Sequence, residues 1–164
     1  MIYEIGGARG TVDDPEGVLK KAHVWSEANG ADVLLADAGV VLGRDHLETA
    51  VRHALRAQST GTMAARSVSA EALRYLSAQR QVADAIRIAG IHRGSKELAI
   101  AVFGRSGIQE LLAAFGWSRD DHVLDSAGKS FEAVGITEAE WATLPPNQRA
   151  DLALEKVALL DTEK

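Results

Sequence analysis

Residues 44–93, RDHLETAVRHALRAQSTGTMAARSVSAEALRYLSAQRQVADAIRIAGIHR, decide how this chain is read: they form two or three consecutive amphipathic helices with no strand between them. At about 100° per residue, Leu47, Ala50, Val51, Ala54 and Leu55 fall on one face of the first helix, with Thr49, Arg52 and Arg56 opposite. His46 and His53 lie at the boundary, where half-buried, hydrogen-bonded histidines are expected. Seven residues apart, they are separated by about 10 Å along a helix, too far for both to hold one metal ion. Ser59–Thr62 reads as a loop, and Ser67 or Ser69 is available to cap the next helix.

In that next helix Val68, Ala72, Leu73 and Leu76 share a face. Beyond Ser77 the apolar centre moves to Val82, Ala83 and Ile86, a shift that one straight helix facing one core would not need. A kink or break is therefore expected at Ser77–Arg80, leaving the planar polar groups of Gln79, Arg80 and Gln81 at a helix junction. Such a junction can hold an anion or a nucleotide. The alternative is a solvated junction in which Arg80 pairs with Asp84 at i,i+4.

All eight basic side chains of this segment are arginines, against four acids, a surplus of +4; the rest of the chain has ten basic and nineteen acidic residues, or −9. A chain of net charge −5 thus gathers positive charge in its helical middle. At 164 residues it is read as one domain, 1–164, large enough to bury about two-thirds of its unfolded surface. An apolar fraction of 46% with 25% charged residues is that of an ordinary globular protein, not a disordered one. No apolar run approaches the roughly 20 residues that cross a bilayer, and Met1–Glu4 lacks the features of a signal peptide. A cytoplasmic location is the expectation. With no cysteine, disulfides, thiolate zinc sites and cysteine nucleophiles are excluded.

Outward from the segment, Met1–Gly6 reads as a strand ended by Gly6-Gly7. Asp13-Asp14-Pro15 starts a helix carrying Val18, Ala22 and Trp25 and stopped by Asn29-Gly30. Ala31–Leu42 reads as a strand or strand pair buried on both faces. On the far side Glu97–Phe103 (ELAIAVF) is a core strand, and Ser106 is expected to cap a helix from Gly107 to Phe115. Thr137-Glu138-Ala139-Glu140 has the pattern of a capping box, and Asn147 is expected to cap a last helix with a frayed tail beyond Asp161. The fold class is α/β, with helices flanking the sheet and an all-helical centre at 44–90.

Catalytic patterns fail on spacing. Ala127-Gly128-Lys129-Ser130 imitates a phosphate-binding loop, but the first glycine of that motif would fall on Val123. Gly104-Arg105-Ser106-Gly107 is not a G-x-S-x-G elbow. His122 with Asp120, Asp121 and Asp125 reads as a solvated acidic loop, the alternative being a divalent cation site. No catalytic residue, metal or cofactor is assigned, and the chain is read as a binding protein.

The ordered set Gly43-x-x-His46-Leu47, Ala50, His53-Ala54, Ala57, Ala64, Glu71-x-Leu73-x-Tyr75-Leu76-Ser77, Gln79-Arg80-Gln81-Val82, Ala85-Ile86 and Gly90-Ile91 resembles the kinase-binding subunit of the KEOPS complex. That family includes the archaeal and fungal small subunit and its animal relative TPRKB. The likeness is best over Gly43–Gly104; Val82 stands where the family usually has isoleucine. The resemblance implies one α/β domain with a mixed sheet. It also implies a non-catalytic role in making threonylcarbamoyladenosine in tRNA: docking on a kinase-like ATPase and recruiting tRNA by its 3′ CCA end. Arg66, Arg74, Arg80 and Gln81 are the candidate RNA contacts, with Tyr75 either a base stacker or a core residue. A protein-only regulator of the kinase-like subunit is the alternative. The isolated subunit could self-associate through an uncovered docking face, so a homodimer of the chain alone is a further expectation; Leu47, Val51 and Leu55 are expected to face the core instead.

Overall fold

A computed structural model describes residues 2–162. Its central strand is the apolar run read from the sequence: β3, Glu97–Phe103. Leu98, Ile100 and Val102 enter one apolar cluster, and Ala99, Ala101 and Phe103 enter the other. A strand buried on both faces has no use for alternating polarity. β1 (Tyr3–Arg9) lies along one edge of it and β2 (Asp32–Asp37) along the other. A two-residue β4 (Ser118–Arg119) adds to β1, giving the order β2-β3-β1-β4.

The α/β class holds, but the sheet is antiparallel at every pairing rather than mixed. Joined by helix α1 (Pro15–Asn29), β1 and β2 run parallel to each other without touching. β3 arrives from the far side of the helical segment and fills the gap between them, antiparallel to both. Ala31–Leu42 is correspondingly shorter as a strand than expected. β2 ends at Asp37, whose carboxylate accepts from the Gly39 amide (2.7 Å) and starts a 3-10 turn at Ala38–Val40.

β1 runs through Gly6-Gly7 instead of ending there. A Cβ on Gly6 would lie 2.7 Å from the Arg119 guanidinium, and one on Gly7 would collide with Val123. These glycines permit close packing across the strand, not a turn.

α1 and α5 (Ile108–Phe115) cover one face of the sheet. Gly107, not Ser106, precedes α5, and the Glu4 carboxylate accepts from the Gly107 and Ile108 amides at 2.8 and 3.0 Å. The cap expected from a neighbouring serine comes from β1. The other face carries α2 (Arg44–Thr60), α3 (Val68–Ser77), α4 (Val82–Ala89) and α7 (Asp151–Thr162). Leu47 and Val51 are fully buried there, and Leu55 packs against the same core. The short α6 (Glu138–Ala142) carries the capping box as read. Asn147 lies within a 3-10 turn (Pro146–Gln148) instead of capping α7. Of the tail beyond Asp161, Thr162 is still helical; Glu163 and Lys164 lie outside the described residues. No helix among the described residues is long and apolar enough to cross a membrane.

α3 and α4 are separate, with the break where the apolar face shifts. Ala78 closes α3 at φ 56°, ψ 35°, a left-handed position usually given to glycine. Its methyl group carries a cost there of about 1 kcal/mol. Ala78→Gly should therefore raise stability by about 0.5–1 kcal/mol, the gain being reduced by the freer unfolded chain. A urea midpoint shift at constant m-value would show it.

His46 fastens this arrangement. It is fully buried rather than at a boundary; Nδ1 accepts from the Leu42 amide (2.9 Å) and Nε2 donates to the Leu76 carbonyl (3.0 Å). Burial pushes the imidazole down from 6.5 to about 4, against the opposing pull of the Leu76 bond. As the pH falls the unfolded chain takes up this proton first. The contribution of neutral His46 is thus complete above about pH 6.5 and declines toward pH 4, by about 1.4 kcal/mol per unit. In His46→Gln the slope of unfolding free energy against pH over that window should flatten by about one proton, as measured by urea unfolding at several pH values.

Candidate nucleic-acid interface

The α2–α3 connection and the α3–α4 junction come together over α7 to form an open cleft of about 740 Å³. α2 contributes His53, Arg56 and Thr60. Thr62 and Ala64 come from the linker, Arg74 from α3, Arg80 and Gln81 from the junction, and Leu160 and Asp161 from α7.

Behind this wall lies a buried ion pair. Glu71 and Arg74, one turn apart on α3, are 0% and 3% exposed and meet at 2.7 Å. Glu71 also accepts from the amides of Ala64 (3.2 Å) and Ala65 (3.1 Å), while Arg74 Nε donates to the Arg80 carbonyl at 2.6 Å. One pair thereby holds the linker on one side and the junction on the other, which sets the width of the cleft. Charge-assisted bonds to backbone are the means by which such a pair offsets its desolvation.

Of the sequence candidates, Arg74, Arg80 and Gln81 are brought together on the cleft; Arg80 and Gln81 are exposed. Asp84 pairs with Arg87 at 3.5 Å and not with Arg80. Neither Arg56 nor Arg80 enters an ion pair among the described residues. Arg66 is exposed on the linker, outside the cleft lining. Tyr75 is fully buried. It forms the floor behind His53, with ring centroids 5.3 Å apart, and donates its hydroxyl proton to Asp161. Burial foremost, then that bond, pushes the phenol well above its ordinary range. With no ring surface open, it cannot stack on a base in this arrangement, so the stacking role expected of it is corrected to that of a core residue.

Sequence reading missed Arg56, the hydroxyls of Thr60 and Thr62, and Asp161. Arg56 was visible as a polar-face residue; Asp161 gave no signal, because only tertiary packing brings the end of α7 against His53. His53 Nδ1 meets the Asp161 carboxylate there.

The other charged motifs are used structurally. Lys129 Nζ donates to the carbonyls of Ala38 (2.6 Å) and Val123, not to an open loop. Asp120 pairs with Arg9 at 2.6 Å and Asp121 with Arg119 at 2.7 Å. Among the described residues, no three His, Asp or Glu side chains are grouped to hold a metal ion.

One α/β domain carrying an arginine-edged cleft at a helix junction has the form of a binding module. Residues 12–145 match the family model of kinase binding protein CGI-121, and the chain belongs to that family. A search of curated proteins finds no match. The matched span ends before α7.

Proposed function

We propose that this chain is the small, non-catalytic subunit of a KEOPS-type complex, which binds the kinase-like ATPase and recruits tRNA through its single-stranded 3′ CCA end. Membership of a kinase-binding family supports the protein half of the reading. The RNA half rests on one observation: exposed Arg56 and Arg80, with no ion pair among the described residues, line one cleft wide enough for nucleotides.

Single-stranded RNA ends offer phosphates to charge, base faces to planar groups and base edges to amides. Arg56 and Arg80 supply the first two, since a guanidinium both pairs with phosphate and stacks; Arg74, expected as a direct contact, is 3% exposed and bonded to Glu71 and the Arg80 carbonyl, and so holds the junction from behind. Gln81 supplies the third, and Arg66 takes a phosphate of the strand outside the cleft. A net charge of −5 opposes broad nucleic-acid binding, which needs many phosphate contacts; a local cleft needs few.

For the kinase-like partner, the apolar groove between α1 and α4 is the suitable face. It is lined by Leu19 and Ile86, which are 48% and 53% exposed, and association favours an apolar, water-excluding centre.

The reading predicts that the tagged chain co-purifies with a small kinase-like ATPase and with tRNA. The acidic net charge favours one alternative, a regulator of the ATPase that never contacts RNA. Recovery of the ATPase with no tRNA would select that alternative, and recovery of neither would reject both.

A further inference from the structure

The Arg80 side chain is exposed and in no ion pair among the described residues, so where it enters the cleft is set by its backbone. That backbone lies between two helices. α3 closes with the Ala78 amide on the Tyr75 carbonyl (3.2 Å) and the Gln79 amide on the Arg74 carbonyl (3.0 Å), and α4 opens with the Ala85 amide on the Gln81 carbonyl (3.0 Å). Between these ladders the Arg80 carbonyl accepts from Arg74 Nε at 2.6 Å. The same guanidinium pairs through Nη1 with Glu71 at 2.7 Å, and Glu71 accepts from the amides of Ala64 and Ala65 in the linker. At 3% exposure, Arg74 has little surface of its own to offer a ligand.

We infer, resting on the RNA-end reading above, that Arg74 is a positioning residue: it meets no RNA itself and acts on RNA affinity through Arg80, whose backbone it fixes so that the Arg80 guanidinium enters the cleft already placed. A guanidinium suits this task because its separate nitrogens reach a carboxylate and a carbonyl at the same time. A lysine presents one nitrogen, which would follow the Glu71 carboxylate and release the Arg80 carbonyl. A junction that is already fixed does not have to be ordered when a ligand arrives, and ordering a loop and its long side chains weakens binding. The bond from Arg74 to Arg80 therefore contributes to affinity as well as to stability, although Arg74 lies behind the wall that the ligand meets.

The test is a double-mutant cycle on RNA affinity: equilibrium binding of one short single-stranded RNA ending in CCA, at one salt concentration and well below the thermal midpoint, to the full chain unaltered, with Arg74→Lys, with Arg80→Ala and with both. Arg74→Lys keeps a cation beside Glu71; Arg80→Ala keeps the carbonyl that Arg74 holds and removes the group that is placed. Arg74→Lys should weaken binding by about tenfold in the unaltered chain and by less than about twofold in Arg80→Ala, a coupling of the size found between residues in contact. If Arg74→Lys does not fold, Glu71→Gln with Arg74→Met, which buries no charge, takes its place in the same cycle. Additive losses, as from an Arg74 that met a phosphate of its own, overturn the inference. So does unchanged affinity in a folded Arg74→Lys, the result of a merely structural role, or an Arg80→Ala without effect. No binding of the RNA to the unaltered chain overturns the RNA-end reading itself, and this inference with it.

Discussion

Glu71→Leu is expected to destabilise the chain by about 3–5 kcal/mol, because it leaves the Arg74 charge buried without its partner. In a domain of this size that is a fall of about 10 °C in Tm. The loss exceeds that of an ordinary surface ion pair, which is worth at most about 1 kcal/mol, since both groups are buried and Glu71 also accepts from Ala64 and Ala65. Arg74→Met should cost much less in the Glu71→Leu background than in the unaltered chain, because the orphaned charge is then gone. Recovery should be incomplete, since the two linker amides and the Arg80 carbonyl remain unpaired. Thermal unfolding of the four members of the cycle decides it. Strictly additive losses would show that the pair does not act as a unit.

The second large effect concerns RNA. Arg56→Glu with Arg80→Glu should weaken tRNA binding by about 100-fold at moderate salt, each reversal removing a phosphate partner and adding repulsion. The slope of log affinity against log salt should become shallower by about 0.7 for each single-strand phosphate that is no longer neutralised. Both side chains are exposed and outside any ion pair among the described residues, so the thermal midpoint should hardly move. Arg52→Glu, altering a residue on the same helix whose guanidinium pairs with Glu48 at 3.1 Å away from the cleft, should leave RNA affinity nearly unchanged.

What could be read from the residues followed from local physics. Glu97–Phe103 announced a core strand by its apolar run, and the displacement of the apolar face after Ser77 announced the α3–α4 break, because both are local patterns. The order of the strands did not follow from periodicity. Whether β1 and β2 touch depends on where β3 returns after the long helical excursion that follows β2. Nor could local pattern show that Glu4 would cap α5 in place of Ser106, or that Gly6 and Gly7 serve close packing. The site divided in the same way. Arg80 and Gln81 were placed by the break, whereas Tyr75 has the same sequence credentials for an exposed stacker as for a core ring and is buried by α7. Asp161 could not be found without knowing where α7 docks. His46 read as a boundary residue, since its two backbone partners, Leu42 and Leu76, lie on separate elements.

The chain belongs to a family of kinase-binding proteins; the cleft between α2, the α3–α4 junction and α7 is proposed as the place where tRNA is held by its end. The most direct measurement is the affinity of the purified full chain for one tRNA prepared with its CCA end intact and with those three nucleotides removed. Trimming should weaken binding by at least about tenfold, because the retained duplex offers few contacts to a protein of net charge −5. Equal affinity for the two RNAs, or affinity for neither, would contradict the account.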